Sequence, residues 1–211
     1  MKRDIVIMGG GSFIGNLINY IESMNEYNIV GYTDCVDNGE FFGVPYLGTD
    51  DVLPELFNKG VHCAALAIGN RLNNAQLKQK VFANLKEIGF ELPVIKGQYV
   101  VVHKGVEIGE GTILRDGAII QSNCHLGKCV MIGDRAIITH NTAIGDFSQV
   151  VSGCILGRNL TIGKSVFFGY GAVVTNDLKI VDGCIIGANS LVNKDCLVEG
   201  KYLGSPAKLR E

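Results

Sequence analysis

The chain has 211 residues and a formal net charge of −2, with 47% hydrophobic and 19% charged residues. This composition excludes a disordered chain, and the near-neutral charge supplies no broad positive field for binding nucleic acid. No apolar run approaches the ~18 residues that a membrane-spanning helix needs. The glycine cluster at positions 9–11 comes too early for the apolar region of a signal peptide, so we expect a cytoplasmic protein. The seven cysteines form no C-x-x-C pair, which predicts neither a disulfide framework nor a zinc ribbon.

The N-terminal third has the pattern of a parallel α/β domain, which we assign to residues 1–96. A short apolar run precedes the sequence GGGSFIG at positions 9–15, and an amphipathic stretch follows it to about Met24. Strand, glycine loop, helix and strand in this order predict a Rossmann-like unit. The predicted strands are Asp4–Met8, Asn28–Thr33 and Val61–Ile68, and a further helix over Asn73–Ile88 has Leu77, Val81, Leu85 and Ile88 on one face.

The glycine loop and the end of the second strand form the candidate ligand site of this domain. Backbone N–H groups at the start of a helix bind anions such as phosphate. The loop is not a G-x-G-x-x-G sequence, because Gly15 comes one residue late. Asp34 follows the second predicted strand, where a carboxylate can accept a hydrogen bond from a ribose or a base edge. A tight turn with a solvated Asp34 is the alternative.

From Val102 to Val198, every sixth residue is Ile, Leu, Val or Phe, without a break over seventeen positions. A period of six fits neither a helix nor simple strand alternation, and it predicts a short strand and a tight turn that repeat as the faces of a coil. One aliphatic side chain from each face then points to the axis, and stacked coils bury a continuous column. A small residue is frequent four places after these positions, including cysteines that we expect to fill the core: Cys124, Cys154, Cys184 and Cys196.

This repeat resembles that of the hexapeptide-repeat transferases, and the resemblance covers roughly residues 98–203. It implies a left-handed parallel β-helix of three faces. The fold that we predict is therefore an α/β N-terminal Rossmann-like domain, residues 1–96, followed by a left-handed parallel β-helix with a C-terminal tail, residues 97–211.

His140 lies at a corner of the predicted coil, and equivalent corner positions follow one another along an edge. Of the three edges, this one alone carries cations and no acids, which suits an anionic cofactor beside a general base. A solvated edge with a stray histidine is the alternative. The other histidines of the repeat, His103 and His125, are far from His140 in sequence, so we expect no metal site. The residues of this His140 edge are Lys104, Ser122, His140, Arg158, Asn176 and Lys194.

Three short sequences resemble motifs of the PglD/NeuD group of bacterial sugar acetyltransferases. Ile138–Phe147, ITHNTAIGDF, is similar to the group's VxHxxxIGDF motif, and Gly204–Lys208 is similar to the G-x-P-A-K ending of hexapeptide acyltransferases. Gly69-Asn70 is similar to the loop beside the nucleotide. The resemblance covers nearly the whole chain and implies a homotrimer that binds acetyl-CoA and a nucleotide-linked amino sugar. It makes His140 the general base, with Asn141 as its neighbour in the catalytic site.

The implied activity is that of an acetyl-CoA-dependent N-acetyltransferase acting on a nucleotide-linked 4-amino-dideoxy sugar. Its product would serve bacterial surface glycans such as the O-antigen of lipopolysaccharide. We expect acetyl-CoA in a groove between neighbouring β-helices of the trimer, with Lys194 and Arg158 at its phosphates. The expected acetyl-CoA-binding residues are Gln149, Arg158, Tyr170, Gly171, Ala188, Asn189 and Lys194. The expected residues for the nucleotide-linked sugar are Gly10, Gly11, Ser12, Phe13, Asp34, Cys35, Gly69 and Asn70.

Three positions depart from the pattern of that group. An Asp or Glu usually follows the histidine, where this chain has Asn141, and a histidine nine residues on is replaced by Gln149. The usual Gly-Gly-His-Ala loop is Gly-Ser-Phe-Ile at positions 11–14. An amide can orient an imidazole but cannot stabilise the imidazolium by charge. Because an amine is a better nucleophile than a hydroxyl, we favour N-acetylation. The alternatives are O-acetylation of a sialic acid-type sugar and a non-catalytic trimeric scaffold that binds a nucleotide-sugar.

Overall fold

The computed structural model describes residues 2–69 and 74–210. The chain divides into two compact units, Met1–Gly97 and Gln98–Glu211. The first is a Rossmann-like α/β unit and the second is a left-handed parallel β-helix, which confirms the predicted fold class. In the described part of the chain, no helix has the length and apolar character that crossing a bilayer requires.

The N-terminal unit contains four parallel strands: β1 (Arg3–Met8), β2 (Tyr27–Thr33), β3 (Tyr46–Gly48) and β4 (Cys63–Leu66). They pair in the order β3-β2-β1-β4. The three predicted strands are all present, with ends that differ by two residues or fewer. The sequence did not reveal β3, because three residues are too few to show the alternation of a strand.

The two predicted helices are present, and the predicted apolar face of the second is buried at Leu85 and partly buried at Val81 and Ile88, but the prediction fails at Leu77. Leu77 is 48% exposed, while Lys78 and Leu85 are buried. Residues 78 and 85 are seven apart, close to two helical turns, whereas residue 77 is turned away from residue 85 by about 80°. The helices are α1 (Ile14–Met24), α2 (Leu53–Asn58) and α3 (Asn74–Ile88). A 3₁₀ turn at Asp50–Val52 precedes α2, and the unit ends with the short strand β5 (Ile95–Lys96).

Short parallel strands form the three faces of the C-terminal unit, which we name after their outward residues. The charged face contains β7 (Glu107–Ile108), β10 (His125–Leu126), β13 (Ala143–Ile144), β16 (Thr161–Ile162) and β19 (Lys179–Ile180). The mixed face contains β8 (Ile113–Leu114), β11 (Met131–Ile132), β14 (Gln149–Val150), β17 (Phe167–Phe168), β20 (Ile185–Ile186), β22 (Lys201–Leu203) and β23 (Lys208–Arg210). The aliphatic face contains β6 (Val101–Val102), β9 (Ile119–Ile120), β12 (Ile137–Ile138), β15 (Ile155–Leu156), β18 (Val173–Val174) and β21 (Leu191–Val192).

The inward column of the β-helix follows the six-residue register. From Leu114 to Val192, every residue of the register is at most 3% exposed, which confirms the predicted core. The prediction is wrong at Val198, which is 58% exposed. The last coil is shorter than the others, because Ile186 pairs with Tyr202, sixteen residues on. Tyr202 is buried and packs in the core cluster in place of Val198.

The cysteines of the small inward position fill the core as predicted. Cys124, Cys154, Cys184 and Cys196 are each at most 1% exposed, and all seven cysteines are free thiols. Burial raises the pKa of the Cys154 thiol to about 11 and that of the Cys196 thiol to about 12. These thiols therefore stay protonated at neutral pH and act as small apolar side chains.

The outward positions of the aliphatic face are unusually apolar. A sheet with one face toward water normally alternates apolar and polar residues. Here every outward residue is aliphatic, and Val101 and Ile155 are 44% and 46% exposed. A contiguous apolar stripe of this kind is typical of a surface that another protein covers. The stripe consists of Val101, Ile119, Ile137, Ile155, Val173 and Leu191.

Candidate active site

His140 occupies the corner that follows β12, between the aliphatic and the charged face. Its backbone is held on both sides: the N–H donates to Gln121 Oε1 at 3.3 Å, and the carbonyl oxygen accepts from the Asn159 N–H at 3.1 Å. The side chain is half-buried. Among residues 2–69 and 74–210, no hydrogen bond to the imidazole is found, so both ring nitrogens are available for a substrate.

Gln121 holds His140 because the usual acceptor of the coil is missing there. At several other corners the backbone N–H donates to an Asp or Asn side chain 18 residues on, one coil further along. Eighteen residues after His140 the chain has Arg158, and its guanidinium has no atom that could accept a hydrogen bond from the His140 N–H. The side-chain oxygen of Gln121 supplies one from the opposite direction. Sequence analysis missed Gln121, and the signal for it was the arginine. The regular pairs are Lys128 with Asp146, Arg158 with Asn176, and Lys164 with Asp182.

Asn141 belongs to a ladder of amides that runs along the same corner. Its φ is +59°, a left-handed conformation that asparagine tolerates better than most residues. Its Oδ1 accepts from Asn123 Nδ2 at 3.4 Å, and its Nδ2 donates to Asn159 Oδ1 at 3.1 Å. The predicted contact that would orient the His140 ring is absent from the described residues. The physical reason is that the amide is directed along the edge, toward its neighbours in the coils before and after it.

The ladder ends on a carboxylate that also holds Arg158. Asn159 Nδ2 donates to Asp177 Oδ1 at 2.7 Å, and Arg158 Nη2 lies 3.5 Å from Asp177 Oδ2. Both side chains of this ion pair are about half exposed, so the pair adds little stability and a phosphate could compete for the guanidinium. Lys194, two coils further along the edge, is exposed, and no ion pair of its ammonium group is found within the described ranges.

The other predicted acetyl-CoA residues lie on a different edge. Tyr170 is 65% exposed at the corner that leads into the aliphatic face, whereas His140 lies at the corner that leaves it. Gly171 follows with φ +65°, and a Cβ there would lie 2.5 Å from Asn189 Oδ1, so glycine is required. Ala188 and Asn189 are exposed one coil further on. One protomer therefore does not bring the two groups of residues together.

Gln149 lies on neither of these edges. It is an outward residue of the mixed face, between Met131 and Phe167 in register, and is only 4% exposed. Its Oε1 is buried without a hydrogen-bond partner among the described residues. A buried acceptor without a donor is unfavourable and rare in folded proteins. This oxygen is therefore an unfavourable feature of the mixed face in the described residues.

Asp34 in the N-terminal unit joins the glycine loop to the end of β2. Its Oδ2 accepts from the Gly10 N–H at 2.5 Å, and its Oδ1 accepts from the Cys35 N–H at 2.6 Å and from the Cys35 thiol at 3.1 Å. Burial opposes ionisation of Asp34, but these hydrogen bonds outweigh it and hold the pKa of the carboxyl below its ordinary value. The same carboxylate raises the pKa of the exposed Cys35 thiol. A Cβ at Gly10 would lie 2.6 Å from the Tyr32 ring, so only glycine fits.

The remaining predicted sugar-nucleotide residues have different surroundings. Gly11 and Ser12 are exposed at the tip of the loop, and Gly69 is half-buried. The side chain of Phe13 is only 7% exposed, with its ring centroid 6.3 Å from that of Tyr20, so the ring packs inside the domain, and the role of Phe13 in binding the nucleotide-linked sugar stays a prediction. An aromatic residue before an amphipathic helix packs in the core with it. Asn70 lies outside the described residues.

Within residues 2–69 and 74–210, no group of three or more His, Cys, Asp or Glu side chains could hold a metal ion.

Comparison with known proteins supports both units. Residues 4–85 match the family model described as the PglD N-terminal domain, and residues 95–208 match the model described as the GMPPB C-terminal domain. The chain belongs to the PglD/NeuD-type hexapeptide acetyltransferases. No curated protein sequence is significantly similar to it.

Solved acetyltransferases of this type share the whole fold with the chain. The acetyltransferase domain of PglB from Neisseria gonorrhoeae FA1090 is 23% identical, with a TM-score of 0.90 over 99% of this chain and 100% of that one. PerB from Caulobacter crescentus, solved with CoA and GDP-perosamine, is 27% identical, with a TM-score of 0.84 over 99% of this chain and 97% of that one. A variant of that perosamine N-acetyltransferase with a histidine replaced by asparagine, also solved with both ligands, is 28% identical with a TM-score of 0.77 over the same shares.

Two departures from the pattern of the PglD/NeuD-type acetyltransferases have a local cause in this chain. The asparagine at 141 in place of an acid continues the amide ladder from Asn123 to Asn159. The phenylalanine at 13 in place of a histidine packs into the domain core beside Tyr20. Phe13 therefore contributes packing to the N-terminal domain, and Asn141 contributes hydrogen bonds between neighbouring coils.

Proposed function

We propose that this chain is an acetyl-CoA-dependent N-acetyltransferase that acetylates the C4 amino group of a nucleotide-linked amino sugar, as a step in surface glycan synthesis. The observation that carries the proposal is the half-buried His140 imidazole, whose backbone is held on both sides and whose ring nitrogens are available. The likeness to PerB, which was solved with CoA and GDP-perosamine, supports the class of both substrates.

The proposed reaction needs one base and one group transfer. The sugar amine attacks the carbonyl carbon of the acetyl thioester, a C–N bond forms, and the C–S bond breaks. His140 accepts the proton that the nitrogen loses and returns it to the departing sulfur, so that CoA leaves as the thiol. An amine needs less help from a base than a hydroxyl does. The absence of a carboxylate at position 141 therefore favours an amine acceptor.

The residues of the edge fit an anionic acetyl donor. Lys194 is an exposed cation, and Arg158 can exchange its half-exposed partner Asp177 for a phosphate. Gln149 stays in the proposed set, and because its Oε1 is buried, contact with acetyl-CoA requires its side chain to turn outward. Tyr170, Gly171, Ala188 and Asn189 complete the proposed set from the other edge.

The proposed active form is a homotrimer. The aliphatic stripe from Val101 to Leu191 supports it, since an apolar surface of this extent is unfavourable in water. The separation of His140 and Tyr170 on opposite borders of that face also supports it, because a neighbouring β-helix could bring the two edges together. We further propose a cytoplasmic location. Seven free cysteines are typical of a reducing compartment.

Mass spectrometry of reaction mixtures tests the proposed function. The purified protein is incubated with acetyl-CoA and a panel of UDP-, dTDP- and GDP-linked amino sugars, together with matched sugars that carry a hydroxyl in place of the amine. We expect one acetyl group on an amino sugar and none on its hydroxyl counterpart. Acetylation of the hydroxyl sugar alone would identify an O-acetyltransferase. Binding of a nucleotide-sugar without binding of acetyl-CoA in calorimetry would identify a scaffold.

A further inference from the structure

Phe42 is an aromatic side chain that the fold of the N-terminal unit leaves unprotected. It is 74% exposed, in a loop between β2 and β3. Most large apolar side chains of this unit are buried, including Phe13, Phe90 and Tyr32. An exposed ring on an ordered loop is a candidate contact for a ligand or a partner.

Phenylalanine is also an unusual residue for the backbone conformation at position 42. Phe41 and Val44 exchange two hydrogen bonds, of 3.1 and 2.9 Å, around a two-residue turn. Both turn residues have positive φ, +50° at Phe42 and +83° at Gly43, as in a type I′ turn. Asparagine, aspartate and glycine are the residues that this first position favours, and a bulky side chain there is strained. Strain of this kind persists where the side chain has a use.

The hairpin that carries Phe42 is anchored on the domain. The Phe41 ring packs edge-on against Tyr32 with 5.3 Å between centroids, and Val44 is 5% exposed. The Tyr32 hydroxyl donates to the Gly39 carbonyl at 2.6 Å and accepts from the Asn38 N–H at 3.2 Å. The loop is therefore tied to the core at several points, and it presents the Phe42 ring at a defined place.

That place is beside the glycine loop. A Cβ at Gly15, in the first turn of α1, would lie 3.0 Å from Phe42 Cε2, so the ring edge rests on the start of this helix. Residues 9–12 precede the helix, and Asp34 binds the Gly10 N–H from the end of β2. The carboxyl ends of β1 and β2 meet here, which is where open α/β sheets bind nucleotides. The late glycine at 15 thus makes room for the ring.

We propose that Phe42 is the stacking platform for the base of the nucleotide-linked sugar. The inference rests on the proposed function and adds to it the residue that binds the base. A flat apolar ring with an open face offers stacking and no hydrogen bonds. Stacking depends little on the identity of the base, because every base has a π-face. Phe42 therefore contributes affinity for uracil, thymine and guanine alike, and leaves the choice among them to polar groups of the loop.

Calorimetry with GDP, UDP and dTDP tests the platform without relying on catalysis. Phe42→Asn removes the ring and places a favoured residue in the turn, so the hairpin is retained. We expect Kd for each nucleoside diphosphate to rise about 5- to 100-fold, as for loss of one base–aromatic stack. Binding of CoA should not change. The matched control is Tyr99→Asn, since Tyr99 is 85% exposed with φ +57° at a corner in the other unit.

Fluorescence gives a second readout. The chain contains no tryptophan, so Phe42→Trp introduces a single indole at the proposed platform. We expect GDP to quench its emission in a saturable manner and to bind at least as tightly as to the unmodified protein. Gly15→Ala should weaken GDP binding by a smaller factor, because the new methyl group displaces the ring, while thermal unfolding stays unchanged or rises.

Three results would overturn the platform. If Phe42→Asn leaves Kd unchanged for all three nucleoside diphosphates, the base does not stack on this ring. Weakened binding of CoA alone would assign the ring to the adenine of the acetyl donor. A change in the mass of the assembly in light scattering would make Phe42 an interface residue. If no nucleoside diphosphate binds the unmodified protein, the proposed function itself fails, and this outcome is distinct from the other three.

Discussion

Two edges of the same β-helix repeat the same coil but differ in charge. Along the paired edge, acids and bases alternate, and Lys128 lies 3.3 Å from Glu110 while Lys164 lies 3.4 Å from Asp146. Along the His140 edge, two lysines, an arginine, a histidine, a serine and an asparagine replace that alternation. The coil needs only a turn and a cap at each corner, so the edge that departs from regular pairing is where ligand chemistry is expected. The paired edge consists of Glu110, Lys128, Asp146, Lys164, Asp182 and Gly200.

The largest expected effect comes from His140 itself. His140→Ala should lower kcat by ~10²–10⁴, the usual range for a lost general base, with little change in substrate affinity. The matched control is His125→Ala, since His125 is exposed on the charged face and pairs with Glu107 at 2.9 Å. Steady-state kinetics with the preferred amino sugar check the prediction. Near-normal kcat in His140→Ala would show that the amine attacks without this base.

Gln121 should have a smaller effect that separates positioning from folding. Gln121→Ala removes the acceptor of the His140 N–H, and a hydrogen bond worth about 1 kcal/mol corresponds to about a fivefold fall in kcat. Gln121→Glu keeps an acceptor and should retain most of kcat. KM for both substrates should hardly move, and the unfolding midpoint should fall by only about 2–4 °C, as for the loss of one hydrogen bond. Equal kcat in all three proteins would mean that the Asn159 N–H alone fixes the corner.

Lys194 distinguishes the two edges by their charge. Lys194→Ala should raise KM for acetyl-CoA about two- to fivefold and leave KM for the sugar unchanged, because one exposed phosphate contact is worth up to about 1 kcal/mol. Lys164→Ala on the paired edge is the control, and it should change neither constant. A larger effect from Lys164 than from Lys194 would place the phosphates along the paired edge.

Asn141→Asp should have the smallest effect. The substitution removes the donor to Asn159 Oδ1, and the exposed ladder then loses about 0.5–1 kcal/mol of stability. Because the amide lies along the edge, kcat for the amino sugar should stay within about twofold. Denaturant unfolding and kinetics on the same preparation measure the two effects. Turnover of a hydroxyl acceptor by this variant would mean that the new carboxylate reaches the imidazole.

The sequence predicted the parts of the molecule that repeat. One aliphatic residue in six is a period that no helix or flat strand shares, so the coil, its core and the corner position of His140 follow from the spacing. Gln121 could not be found in this way, because its contact compensates for an arginine one coil away. The exposure of Val198 depends on a coil that is two residues short, and no local residue marks the shortening. The packing of the Phe13 ring with Tyr20 could not be predicted either, because Phe13 lies in the glycine loop, where the sequence has no apolar period.

The short last coil also determines how the stack of strands stops. A parallel β-helix exposes unpaired backbone groups at its final turn, and such an edge can recruit another chain. Here β22 is followed by β23, which pairs with it in the antiparallel sense and becomes the outermost strand. That strand is three residues long, and Lys208 and Arg210 are exposed on it. Short length and positive charge are the features with which natural sheets resist edge-to-edge aggregation, so we expect the tail to hinder pairing with the edge of another chain.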